Sequence, residues 1–199
     1  MTEAVARPGR GRRPSAEVRR DVLAAATELL LADGVAAVTF ERVAQAAPAS
    51  KVTLYKWWPT PGALAAEAYF AHVESGLRFD DSGDLTADLR AQLHAFVATL
   101  TDERIGPVIA GFIGAAQADA ALAEAWSAGY SLERRRLAVE RFARAEEAGQ
   151  LRTGLDLEVL VDQLWGACYH RLLVRDQPLT PAFADAILDN LLRGVATAP

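Results

Sequence analysis

Apolar positions recur at helical spacing along nearly the whole chain. Val18, Val22, Ala25, Ala26, Leu29 and Leu30 fall three and four residues apart, which predicts a helix. Ser15 is its expected N-cap, Glu17 favours its first turn, and Gly34 is expected to end it as a left-handed cap. Thr39 caps a second, short helix with the apolar face Phe40, Val43, Ala44 and Ala47, and Pro48 stops it. Ser50 caps a third helix running to about Trp57, stopped by Pro59. Thr60-Pro61 is the cap-then-proline start of a fourth, which reaches about Leu77. A polar stretch over Asp80–Asp84 precedes a helix from Leu85 to Leu100, and Gly106-Pro107 opens another to about Ala118. Asp119–Ala148 reads as one long helical segment, followed by helices over Asp156–Val174 and from Pro181 to near Val195. No alternating strand pattern and no tandem repeat occurs. The expected fold is all-α, with about nine helices.

Three helices fit into residues 15–58, the second and third joined by a few residues only, which is the helix-turn-helix layout. With Leu54 placed at zero and about 100° added per residue, Trp58 falls near about 40° and marks the buried side with it. Val52 and Lys56 fall near about 160° and 200°, facing away, with Thr53 and Tyr55 flanking them. Each outward group has a partner on duplex DNA. Lys56 suits guanine acceptors or phosphate, and Val52 suits a thymine methyl. Thr53 and Tyr55 suit phosphate oxygens, while Ser50 and Lys51 sit at a helix N-terminus that favours an anion. The only two lysines of the chain, Lys51 and Lys56, both lie on this helix.

Charge sharpens the picture. Residues 1–60 carry nine basic against six acidic side chains, whereas the whole chain of 199 residues has a net charge of −5. A basic head on an acidic body suits a protein that meets a polyanion only through its head. Residues 1–14, rich in Arg, Gly and Pro, are expected to be a disordered basic arm. Arg10, Arg12 and Arg13 fit two readings, a minor-groove reader and a solubilising tail; beside a helix-turn-helix the first is favoured.

Several classes are excluded. One cysteine, Cys168, allows neither an intramolecular disulfide nor a multi-cysteine zinc site, and three scattered histidines show no metal-ligand spacing. Cys168 and His170 point to nearly opposite helix faces, and no Gly-rich phosphate loop or HExxH occurs, so no enzyme, metal or cofactor is expected. Without a membrane span or a signal-peptide pattern, the expected setting is the reducing cytoplasm.

The stretch Val22-Leu23-Ala24-Ala25-Ala26-Thr27-Glu28-Leu29-Leu30, then Asp33-Gly34, Thr39 through Ala44, Ser50 through Tyr55, Trp58-Pro59-Thr60 and Ala63-Leu64 resembles the TetR family of bacterial transcription regulators. The resemblance implies a helix-turn-helix DNA-binding domain over residues 15–60 and an effector-binding and dimerisation domain over 61–199. It implies a ligand-responsive regulator, by family default a repressor, that binds a near-palindromic double-stranded operator as a homodimer. A small, largely apolar effector would release it. Carried over, Thr39 meets phosphate and Trp57 lies at the backbone. Within the body, Phe112, Trp126, Tyr130, Trp165 and Tyr169, with His94 and Gln117 as polar handles, are the candidate ligand site. Leu160, Leu164, Leu172, Phe183, Ile187 and Leu191 form stripes for which the family implies the same stripe on a second subunit as partner.

Two departures stand against the family pattern. Pro48-Ala49 replaces the usual Gly-Val of the turn, and proline cannot take a positive φ, so a tilted or less firmly packed third helix is expected. Thr60-Pro61 replaces Ser-Lys, removing a phosphate-binding lysine and about 0.9 of the salt slope. The alternative these changes support is a helical sensor or adaptor with lost or weakened DNA binding.

Overall fold

The computed structural model describes residues 14–73 and 80–195. Among them, helices run over Ser15–Asp33 (α1), Phe40–Ala46 (α2), Lys51–Trp57 (α3), Pro61–Val73 (α4) and Leu85–Thr101 (α5). Ile105–Ala116 (α6), Ala120–Trp126 (α7), Leu132–Glu147 (α8), Leu157–Val174 (α9) and Pro181–Val195 (α10) follow. A π-helical turn, Ser127–Ser131, joins α7 and α8 into one interrupted rod, where the 3.6-residue period predicts an unbroken helix. With that rod counted once, the described residues form nine helices and no strand, the all-α architecture expected. Arg10, Arg12, Arg13 and the predicted end of α4 at Leu77 lie outside the described residues.

Side chains set most of the helix starts. Thr39, Ser50, Asp84, Asp119 and Asp156 each accept a backbone N–H from the turn they open. Thr60 and Thr180 do the same ahead of Pro61 and Pro181. Ser15 does not: it stands inside α1, and Pro14 holds the cap position at φ −53° and ψ 138°. The Pro14 carbonyl accepts from Glu17 and Val18, and the ring's fixed φ already suits the cap. Gly34 has the expected positive φ of 81° but a ψ of −179°, a region open essentially to glycine alone. This turns the chain into a single 3-10 turn, Val35–Ala37, in place of a left-handed helical cap.

The turn before α3 shows how Pro48 is accommodated. No residue there has positive φ; instead the Ala49 N–H donates to the Ala47 carbonyl at 2.8 Å, closing a γ-turn centred on Pro48. An inverse γ-turn needs a central φ of about −75°, within the range the pyrrolidine ring imposes. Leu54 and Trp58 are both buried beneath α3, so the looser packing expected of that helix is not found. Pro48→Gly is expected to lower stability by about 0.4–1 kcal/mol, because it frees the unfolded chain more than the folded one. A reduced urea midpoint with unchanged slope would show it.

The spine of the molecule is α4, which buries Leu64, Ala65, Ala68 and Tyr69 between α1 on one side and α7 on the other. Beyond it α5 packs on α6, α9 and α10, and α9 packs on α8 and α10. Leu160, Leu164 and Leu172 are buried in this body, so they are core residues and not the free stripe expected. The face of α9 left exposed is instead Val159, Gln163, Gly166, His170 and Leu173, spaced alternately four and three residues apart. Phe183, Ile187 and Leu191 on α10 are half-buried, while Ala184 and Leu188 take that helix's core positions.

One element of the core is ionic. Arg141, 1% exposed, donates from Nε and Nη2 to Oδ2 of Asp88, itself 4% exposed, at 2.9 and 2.7 Å. Ser82 completes the carboxylate's shell with its hydroxyl at 2.6 Å and its backbone N–H at 3.2 Å. Asp81 lies 3.4 Å from Arg141 and also accepts from Arg144 at 2.7 Å. The start of α5, the loop before it and α8 are thereby tied together.

Candidate nucleic-acid interface and internal cavity

The α2–turn–α3 unit presents its outward face as the angular arithmetic predicts. Val52 is 79% exposed and Tyr55 62%, and Lys56 is exposed with no ion-pair partner among the described residues. The Tyr55 ring is held edge-on against buried Phe40, with centroids 4.6 Å apart, which fixes the ring and leaves its hydroxyl end to solvent. Ser50 Oγ accepts from the Thr53 N–H at 3.2 Å and lies 3.0 Å from the Thr53 hydroxyl. Thr39 Oγ1 accepts from the Arg42 N–H at 3.2 Å. Lys51 differs from Lys56, because its ammonium is engaged by Glu41 of α2. The hydrogen bond from Lys51 holds the Glu41 carboxyl below the usual glutamate range. Trp57, half-buried, packs edge-on against Trp58 at 5.6 Å.

Two residues that sequence reasoning missed fix this unit to the body. Glu67 of α4 accepts both Arg19 Nη2 bonds at 2.7 Å and the Trp58 indole N–H at 2.7 Å. The Arg19 guanidinium in turn lies over the Trp58 ring at 4.5 Å. A carboxylate on α4 thus gathers the start of α1 and the residue that caps α3. In sequence, Glu67 is one more polar position in an alanine-rich helix, and nothing local distinguishes it.

A cavity of about 170 Å³ opens between α5, α8 and α9, lined among others by Phe96, Tyr130, Arg134, Trp165 and Tyr169. A second space of about 490 Å³, reaching Tyr69, His72, Gln92 and Asp102, shares the wall formed by Phe96, Tyr130 and Arg134. Burial pushes the phenols of Tyr69, Tyr130 and Tyr169 above the usual tyrosine value, so each stays a neutral hydrogen-bonding group at neutral pH. Burial likewise pushes the Cys168 thiol up to about 11, which keeps it protonated and unreactive.

Of the seven residues expected at a ligand site, Tyr130, Trp165 and Tyr169 line the cavity. Phe112 and Trp126 do not; they stack on each other at 4.9 Å within an aromatic cluster that includes buried Tyr69 and Tyr130 and half-buried Phe70. His94 lies at the α5–α10 contact, with Nε2 2.9 Å from Asp185. Gln117 is exposed at the end of α6 and donates to the Ile113 carbonyl of its own helix. Arg134, Arg135, Ser131 and Asp162 were missed, since charged and polar residues on an amphipathic helix read as a solvated face. Among the described residues, no group of three or more His, Cys, Asp or Glu is arranged to hold a metal, and no helix is long and apolar enough to cross a membrane.

The family model for bacterial regulatory proteins of the tetR family matches residues 22–68, and that for the tetracyclin repressor-like C-terminal domain matches residues 79–191. The chain is 32% identical to the uncharacterized HTH-type transcriptional regulator YdeS of Bacillus subtilis over 186 residues, 94% of this chain and 93% of that protein. The crystal structure of TetR family transcription regulator SCO0332 aligns with a TM-score of 0.78 and 54% identity, covering 92% of this chain and 100% of that one. A TetR-family regulator structure from Mesorhizobium loti aligns with a TM-score of 0.71 at 20% identity, over 94% of this chain and 100% of its own, a likeness of fold.

Proposed function

Because the chain belongs to the TetR family of DNA-binding transcriptional regulators, we propose that it acts as a repressor released by a small, largely apolar effector. The observation that carries this reading is the exposed Val52–Lys56 face of α3, a cation and an apolar tip on a helix whose opposite side is fully anchored. Lys56 reaches base edges in the major groove, and Thr39, Ser50, Thr53 and Tyr55 fix the register on phosphates. Lys51 exchanges Glu41 for a phosphate on binding, and Trp57 packs near the backbone. The arm residues Arg10, Arg12 and Arg13 add contacts in the neighbouring minor groove.

The chain works as a homodimer in the cytoplasm. Its two-fold interface uses the exposed α9 stripe of Val159, Gln163, Gly166, His170 and Leu173, together with Phe183, Ile187 and Leu191. Two copies of α3 then stand about 34–36 Å apart, one turn of DNA, and call for a near-palindromic site. The effector enters between α5, α8 and α9 and stabilises a dimer whose heads are wrongly spaced, a shift limited by its differential affinity for the two states.

Selection of DNA from a random pool by the purified protein supplies the site, and fluorescence anisotropy with that site gives the test. Lys56→Ala is expected to weaken binding by roughly 1–2 kcal/mol with no change in thermal unfolding. Unchanged affinity would remove Lys56 from the readout. Failure to select any duplex at low salt would end the regulator reading altogether.

A further inference from the structure

The five arginines of α8 are not equivalent. Arg135 is held by Glu158 and Asp162, Arg136 by Glu133 and Glu140, Arg141 by Asp88, and Arg144 by Asp81. Arg134 alone has no carboxylate partner among the described residues, although it is half-buried and lies in the wall between the two spaces. Its guanidinium lies 5.5 Å from the Phe96 ring centroid and 5.4 Å from that of Tyr130. The two carboxylates that line these spaces have hydrogen-bond partners of their own. Asp162 belongs to Arg135, and Asp102 accepts the backbone N–H groups of Arg104 and Ile105.

We propose that the molecule bound in this cavity is an aromatic organic acid, its ring against Phe96, Trp165 and Tyr169 and its acidic group, ionised, on Arg134. The proposal rests on the effector reading above and adds the sign of the ligand's charge. A box of aromatic rings by itself invites a cation, whose best position is over a ring face. Here the faces of Phe96 and Tyr130 are occupied from within by the Arg134 cation, so a cationic ligand finds the place taken and is repelled. A guanidinium without a counter-charge, partly withdrawn from water, gains a charge-assisted pair when an anion arrives.

The probes are three bicyclic compounds of matched shape: 2-naphthoate, 2-naphthamide and 2-naphthylmethylammonium. Their binding to the full-length protein is followed by isothermal titration calorimetry at neutral pH. We expect 2-naphthoate to bind at least tenfold more tightly than the amide, and the ammonium compound more weakly than either. Arg134→Gln is expected to abolish the preference for the anion, and Arg134→Lys to retain most of it. An amide or ammonium compound that binds as well as 2-naphthoate overturns the proposal, as does a preference that survives Arg134→Gln. Absence of binding by all three at millimolar concentration also overturns it. Anisotropy with the selected DNA in parallel samples keeps the readings apart: a charge preference without release of DNA sinks the release mechanism and leaves the anion site standing.

Discussion

An Arg141→Met variant is expected to lose about 3–5 kcal/mol of stability, a large part of what a domain of this kind possesses. The methionine fills much of the volume, so the loss comes from Asp88, left buried without its cation. Burial alone would raise the Asp88 carboxyl; the hydrogen bonds from Ser82 and Arg141 and the Arg141 charge outweigh it and hold the group below the usual aspartate range. A carboxylate depressed on folding stabilises above its unfolded value of about 3.9 and stops doing so as pH falls through its folded value. The wild-type protein should therefore lose this contribution only below about pH 4. Urea unfolding of Arg141→Met at neutral pH measures the first effect. Combining it with Asp88→Leu should return most of the lost stability, since replacing both partners removes the stranded charge. A loss well under about 1 kcal/mol in the single variant would mean that water reaches Asp88 and the pair is not a closed one.

What the sequence made legible is what local chemistry decides. Thr39, Ser50 and Thr60 specify helix starts through one side-chain oxygen each, and neighbours far along the chain barely enter. The outward placement of Val52 and Lys56 follows from 100° steps once Leu54 is taken as buried. Helix α9 defeats the same arithmetic because it is apolar on both sides. Leu160 and Val159 are equally hydrophobic in sequence, and only the packing of α5, α8 and α10 decides that the first is core and the second exposed. The aromatic residues pose the same problem. Phe112 and Trp165 look alike until the fold places one within the aromatic cluster and the other against a void. Charged residues mislead in the opposite direction: Arg141, Arg134 and Glu67 sit at helical positions that read as solvated, and each acquires its role from a partner on another helix. The π-helical turn at Ser127–Ser131 adds a residue to one turn, which no period-based reading registers.

Gly129→Ala should weaken binding to the selected DNA about a hundredfold with no effector present, near the upper end of ordinary coupling between sites. Gly129 lies in that π-helical turn, and a β-carbon there would stand 2.3 Å from Cε2 of Phe70 on α4. No ring tolerates such an approach, so either Phe70 or α4 must move. Phe70 is half-buried, stacks nearly parallel to Tyr130 at 6.0 Å and leans on Trp126 at 5.6 Å, so a shift of its ring is passed to both neighbours. Tyr130 is itself a cavity wall, so the proposed effector, pressing on it, would act on Phe70 by the same route that the added methyl takes. One turn before Phe70, on the same side of α4, is Glu67, which holds Trp58 and with it the end of α3. On the proposed reading, a displacement at Phe70 would be delivered to α3, and two subunits of the proposed dimer displaced together would no longer match one turn of duplex. The same methyl should cost about 1–3 kcal/mol of stability, which thermal unfolding will separate from the loss of binding. Adding Phe70→Leu removes the ring edge that the methyl strikes, so the double variant should recover most of the affinity in a double-mutant cycle. If Gly129→Ala binds as the wild type does and an effector still releases it, the signal reaches α3 without Phe70, and the contact between Gly129 and α4 is packing alone.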